Sequence, residues 1–293
     1  MKKILPILVL LIFGIIFFSC KSKDKGGSGP AYTLKMRLAQ GDKFGQDMDM
    51  TMDMNLSSMN MGMSMKMNMA VEMEVLGDSA GLKKIRFTYT KAKMSMDMTG
   101  MPETGMNTDD ILDKAAERML GKSIILLLNK DNDIVDVTGF TEMMNDSYYD
   151  DPTSSEQVKK MFSKDQINSM MGLMFQMYPD HPVRVGDTWE KESDMGMGPL
   201  KMRMKNKFKL KQVGNGIATI EIETKYNGKG KMEQGNMSVD MDMNGTQSGE
   251  IGVGLDDGYL EGADYKIKVK AKAKVMGQKM AYDMHGSYLM KGH

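Results

Sequence analysis

The sequence predicts an α+β fold that is mainly β: one large, curved antiparallel sheet of roughly 10–11 strands, with amphipathic helices packed on its concave face. Three observations predict it. Methionine, 38 of 293 residues, recurs at every second position over long stretches. Asp-Gly and Gly-Asn-Gly signals separate those stretches as turns separate strands. Between residues 107 and 178 the apolar period changes from two to the helical value of about 3.6.

The chain opens with Lys2 and Lys3, an uncharged run from Ile4 to Phe18, then Ser19 and Cys20. The run has the length of a secretory h-region and is short for a membrane-spanning helix. Cys20 is the only cysteine, so no internal disulfide can form. Basic start, apolar run, small residue and cysteine, in that order, resemble the bacterial lipoprotein signal (lipobox). Phe17 and Phe18 stand where that pattern has Leu and a small residue. The resemblance implies that residues 1–19 are a signal peptide and that Cys20 is the acylated first residue of the mature chain. It also implies a lipid-anchored cell-envelope address, the outer membrane of a Gram-negative bacterium, with the periplasmic or surface face left open. The rival reading is an ordinary secreted protein with an incidental cysteine. Residues 20–30, CKSKDKGGSGP, cannot bury apolar surface and form a flexible tether. Residues 31–293 follow as a single β-rich domain with a helical insert around 107–178.

Removing Lys2 and Lys3 leaves 37 basic against 39 acidic residues. That balance argues against nucleic acid as a partner. No later apolar run is long enough to cross a membrane as a helix.

The strands are read in chain order. Met48 to Met54 alternate with Asp49, Thr51 and Asp53, and Met59 to Val75 alternate with mostly polar residues. Strict alternation puts methionine on one sheet face and polar groups on the other. Ile85, Phe87 and Tyr89 continue the pattern; parity slips at Thr90–Lys91, a β-bulge signal, before Ala92, Met94, Met96 and Met98. Ile111, Leu112, Ala115, Ala116, Met119 and Leu120 mark a helix capped by Asn107 or Thr108 and stopped by Gly121. A short helix is expected around Phe140 to Asn145. Capping boxes at Ser154–Gln157 and Ser163–Gln166 open further helices that end at Pro179. Later strands centre on Met202–Leu210, Ile220–Tyr226, Met237–Met243, Ile251–Leu255, Tyr265–Val275 and Met280–Met290. Gly41-Asp42-Lys43-Phe44 matches Gly186-Asp187-Thr188-Trp189, and Gly121–Phe140 resembles Ser248–Tyr265, which suggests two related sheet halves.

Strands with inserted helices resemble the lipoprotein-carrier type of half-barrel, in which helices plug the concave face and acyl chains bind between the layers. Three stretches resemble an uncharacterised family of methionine-rich bacterial lipoproteins: the repeated Met-x-Met strands, Leu128 to Met144, and Tyr178 to Trp189. That resemblance implies location and fold and carries no activity.

The methionine face has three readings. It fills a core; it forms an adaptable hydrophobic pocket, since thioethers repack around varied guests; or it binds Cu(I). Only His181, His285 and His293 are available beside it. For the pocket, the lining residues are Met50, Met52, Met54, Met63, Met65, Met67, Met94, Met96, Met202, Met204, Met241, Met171 and Met174. Asp47, Asp49, Asp53, Asp240 and Asp242 read as solvated outer-face carboxylates, since calcium needs converging loop oxygens. The Lys266–Lys274 stripe either protects a sheet edge, solvates an outer face or touches anionic headgroups. No nucleophile–base motif occurs, so no enzyme, metal site or cofactor is expected. The residues thus predict a non-enzymatic envelope lipoprotein. Its partners are the membrane, through its acyl anchor, and a lipid or other apolar ligand. The alternatives are a structural or interaction module with a filled core, and a copper-handling protein.

Overall fold

The computed structural model describes residues 27–56, 60–100, 108–139, 174–175, 177–197, 200–234, 237–275 and 278–293. The lipobox with Cys20, the methionine at 171, and the helices expected at Phe140–Asn145 and from Ser154 onward lie outside these residues, apart from Met174, Phe175, Met177 and Tyr178.

Thirteen strands and the helix α1 are found among the described residues. β1 (Ser28–Tyr32) pairs with β7 (Val183–Val185) in a small ribbon. The other eleven form one antiparallel sheet. They are β2 (Lys43–Leu56), β3 (Met61–Ser79), β4 (Leu82–Thr99), β5 (Ser123–Leu128), β6 (Ile134–Thr138), β8 (Thr188–Met197), β9 (Leu200–Gly214), β10 (Ile217–Gln234), β11 (Met237–Gly254), β12 (Leu260–Val275) and β13 (Gln278–Gly292). The spatial order is β6-β5-β4-β3-β2-β13-β12-β11-β10-β9-β8. Every neighbour is also next in the chain except one. β13 pairs with β2, so the last long strand returns to the first, as in an up-and-down barrel. The free edges of the sheet are β6 and β8.

The expected α+β class is corrected to nearly all-β. Among the described residues the one complete helix is α1 (Thr108–Met119), which lies beside β4; Met174 and Phe175 are also helical. Among the described residues no layer of amphipathic helices packs on the inner face of the sheet. Its core end is covered instead by an extended strap, residues 33–39, in which Leu34, Met36 and Leu38 are buried and alternate with exposed Lys35 and Arg37. Period two suits a strap as well as a strand. The strap is tied down near its C-terminal end, to two different parts of the sheet. The Arg37 amide donates to the Asp257 carbonyl at 2.6 Å in the β11–β12 turn, and Lys83 Nζ at the start of β4 donates to the Leu38 carbonyl at 2.6 Å. Tyr178 Oη donates to the Gly258 carbonyl at 2.6 Å.

One contiguous core gathers Val75, Ile85 and Leu126 from the β3–β5 wing and Phe208, Ile220 and Ile251 from the β9–β11 wing, with the strap and Phe175 among them. Two wings that share one core with a strap between them require the sheet to curl. The bulge at Thr90 is present: Ala70 pairs with Lys91 and Val71 with Tyr89.

The repeat at Gly41 and Gly186 is one turn used twice. Asp42 Oδ2 accepts the Ala39 amide at 2.6 Å, and Asp187 Oδ2 accepts the Arg184 amide at 2.7 Å. Gly41 and Gly186 take φ of 90° and 98°, and each aspartate carbonyl accepts an amide from the neighbouring strand, Val75 or Leu210. Phe44 and Trp189 follow, each turned inward.

Candidate functional site: the methionine ladder on the inner face

β3 runs without a break in parity, so Met61 through Met69 share the face of Val71, Met73 and Val75, which are core residues. Register extends that face sideways, because directly paired residues project to the same side. Met290, Met48 and Met69 stand abreast on β13, β2 and β3. The next row is Tyr288, Met50, Met67 and Met94; then Gly286, Met52, Met65 and Met96; then Met284, Met54, Met63 and Met98. Neighbouring strands are about 4.8 Å apart and alternate residues about 6.7 Å apart, so thioethers tile this surface on a close grid. Most of these side chains are half-buried, and Met98 is exposed. The grid thus lies beyond the packed core yet on the core's side of the sheet.

The opposite wing continues the same face with other residues. Met202 and Met204 of β9 are buried, while Gly228 and Gly245 occupy matching inner positions on β10 and β11. Met241 is half-buried on β11 opposite Ala273. Met174 is half-buried and packs against the core. On the outer, charged face of this wing, two concavities of about 850 Å³ and about 430 Å³, both bordered by Asn227 and Asn244, open over β8 to β13. Of the methionines singled out as pocket lining, only Met202 borders them. The ladder on β13, β2, β3 and β4 is a paved face and not a wall of those two hollows.

Aromatic and polar groups interrupt the apolar face over three successive rows, those of Tyr265 and Tyr288, of Asn206, Thr224 and Gln247, and of Tyr226. Tyr265 stacks on Tyr288 with centroids 5.5 Å apart. Burial pushes both phenols up, that of Tyr288 to about 12, and pushes Tyr226 to about 12. These tyrosines stay neutral at physiological pH. Asn206 and Thr224 sit on the inner face of β9 and β10 and are 1% and 2% exposed. Thr224 Oγ1 donates to Asn206 Oδ1 at 2.7 Å, and Tyr226 Oη donates to Gln247 Oε1. Asn206 Nδ2 and the Oγ of Ser193 are buried without a partner among the described residues. The signal for this group was present as a break in alternation, where Asn206 falls between Met204 and Phe208 and Thr224 between Ile222 and Tyr226.

The outer face is charged and wet. Asp47, Asp49, Asp53 and Asp240 are exposed, and Asp242 pairs with Lys229 at 3.7 Å. Lys266 to Lys274 lie on β12 between β11 and β13, so the stripe solvates the outer face and guards no edge. Among the described residues no group of three or more His, Cys, Asp or Glu could hold a metal ion, and no helix is long and apolar enough to cross a membrane.

A family model described as a family of unknown function (DUF6263) matches residues 80–260. No curated protein matches the chain. Among solved structures, an outer membrane channel from Pseudomonas putida F1 aligns at 8% identity and a TM-score of 0.21, over 88% of this chain and 97% of that one. OmpT, an outer membrane protein of Vibrio cholerae in its trimer form, aligns at 9% identity and a TM-score of 0.13, over 87% and 100%. Similarity at that level carries no argument about fold or role.

Proposed function

We propose a role from geometry for a chain that belongs to DUF6263, a family of unknown function: a lipid-anchored envelope protein, without catalysis, that binds an apolar ligand such as a lipid or acyl chain on its methionine-paved face. One observation carries this reading. Four adjacent strands place thioethers in register on the core side of the sheet, in the half that the described core leaves uncovered. A packed core favours Leu, Ile and Val, whose rotamers are well defined. Half-buried methionine on a broad grid suits a guest of variable shape, because an unbranched thioether repacks at small cost. Fully burying an exposed methionine contributes about 1.5–3 kcal/mol and these are half-buried already, so a guest must cover many of them to offset the cost of immobilisation. The order Lys2-Lys3, Ile4–Phe18, Ser19, Cys20 supports acylation at Cys20 and an envelope address.

The test is native mass spectrometry of the full chain after delipidation, with added pyrene-labelled hydrocarbon. Stoichiometric uptake that falls at least tenfold in Met52→Ser/Met65→Ser/Met96→Ser supports the reading. An unoccupied chain that takes up no hydrocarbon overturns it, and retention of added Cu(I) at fixed stoichiometry in its place assigns the thioethers to metal.

A further inference from the structure

The inner face of β8 to β11 carries a polar level that a filled core or a plain greasy surface has no use for. Asn206 is 1% exposed, its Oδ1 accepts from Thr224 at 2.7 Å, and its Nδ2 has no partner. Ser193, opposite Met204 and so one inner-face row away from Asn206 across β8 and β9, buries an Oγ that is equally unpartnered among the described residues. A buried donor left unsatisfied is costly and is ordinarily eliminated or paired. Two on neighbouring rows, Asn206 level with Thr224 and Ser193 level with Met204, with Phe208 on the core side, mark a place built to be completed from outside the chain. The charge at this level is already committed: Lys191, opposite Asn206, reaches out to Asp180 at 2.6 Å. What remains is a neutral donor set.

We propose that Asn206 and Ser193 form an anchor for an uncharged acceptor, the ester or amide carbonyl of an acyl ligand, whose hydrocarbon tail runs from Met204 and Met202 over the methionine face. This rests on the binding role proposed above and adds what it lacks, a point of polar selection. A hydrocarbon with no carbonyl leaves both donors unpaired and binds less well. A carboxylate head gains no cation here and loses hydration.

The experiment compares a pyrene-labelled alkane with the methyl ester of a pyrene-labelled fatty acid of equal length, titrated into the full chain and followed by fluorescence. The wild type should prefer the ester by about three- to tenfold, the worth of one net hydrogen bond. Asn206→Leu/Thr224→Val, which removes both partners of the internal bond, and Ser193→Ala should each erase or halve that preference and leave alkane affinity unchanged. Unchanged near-ultraviolet circular dichroism shows that each variant is folded, and if the double variant fails that check, Ser193→Ala alone decides. Equal wild-type affinity for the two probes overturns the anchor and spares the binding face. A preference that survives in the folded variants overturns it too. A wild type that binds neither probe removes the binding face and the anchor together.

Discussion

Replacing Gly258 by Ala tests whether the strap is a clamp or a loose cover. Gly258 sits in the β11–β12 turn with φ of 72°, a conformation that costs an L-residue about 1–2 kcal/mol. An added Cβ would also lie 2.1 Å from the carbonyl oxygen of Lys35 and 2.8 Å from the Cα of Met36. Both obstacles are backbone of the strap, so neither can swing aside. Forcing the strap outward disturbs the buried side chains of Leu34, Met36 and Leu38 and the bond from Tyr178, an overpacking cost of about 1–3 kcal/mol. The total is about 2–5 kcal/mol. Gly216→Ala is the control, since Gly216 has φ of 78° and nothing within 4 Å of the added carbon; it should cost only about 1–2 kcal/mol. Denaturant unfolding followed by fluorescence measures both, because Trp189 is the only tryptophan and is buried in the core. Equal losses for the two variants would mean that the strap yields freely and that the clamp argument is wrong.

Other outcomes follow from single residues. Ala80 takes φ of 53° in the β3–β4 turn, so Ala80→Asn should raise the unfolding midpoint by about 0.5–1 kcal/mol equivalent, and a loss would refute the strain. Trp189 Nε1 donates to the Met177 carbonyl at 2.8 Å, so Trp189→Phe should cost about 1–3 kcal/mol by orphaning a buried acceptor, measured by circular-dichroism melts. The backbone amides of Arg184 and Gly27 hold the Asp187 carboxyl below its ordinary range. Its contribution is therefore present above about pH 4 and fades as pH falls through the lowered folded value, and Asp187→Ala should flatten that part of the stability–pH curve. Burial raises the Glu261 carboxyl, with the opposite sign. Its contribution is present at low pH and is lost as pH rises through the raised folded value, so Glu261→Gln should gain on the wild type towards neutral pH. Cys20→Ser should abolish incorporation of labelled fatty acid and release the chain from membranes in a carbonate wash.

Much of the sheet was legible because alternation is local. Met48 to Met54, Met61 to Val75 and Tyr265 to Val275 declare their strands without help from the rest of the chain, and the slip at Thr90 declared its bulge. α1 was legible from its helical spacing and from the Gly121 stop. The layer on the inner face was not, because Leu34, Met36 and Leu38 alternate as a strand does yet form no ladder of their own. Which strands stand side by side is a long-range choice, so the pairing of β13 with β2 left no local mark. Asn206 and Thr224 were visible only as polar residues at apolar positions, and their being neighbours depends on the register of β9 with β10.

The return of the last strand to the first has a consequence for biogenesis. Met290 pairs with Met48, about 240 positions earlier, and the backbone groups of His293 and Gly45 bond each other at 2.8 and 3.0 Å. Closing so long a loop comes late, after the local hairpins have formed. Until the fifteen residues of β13 emerge, β2 must wait with one edge bare, a template for mispairing. Premature stops, even near the end, should thus yield aggregating chains and not shortened working ones, and whatever escorts the nascent polypeptide must shield that edge until synthesis is complete.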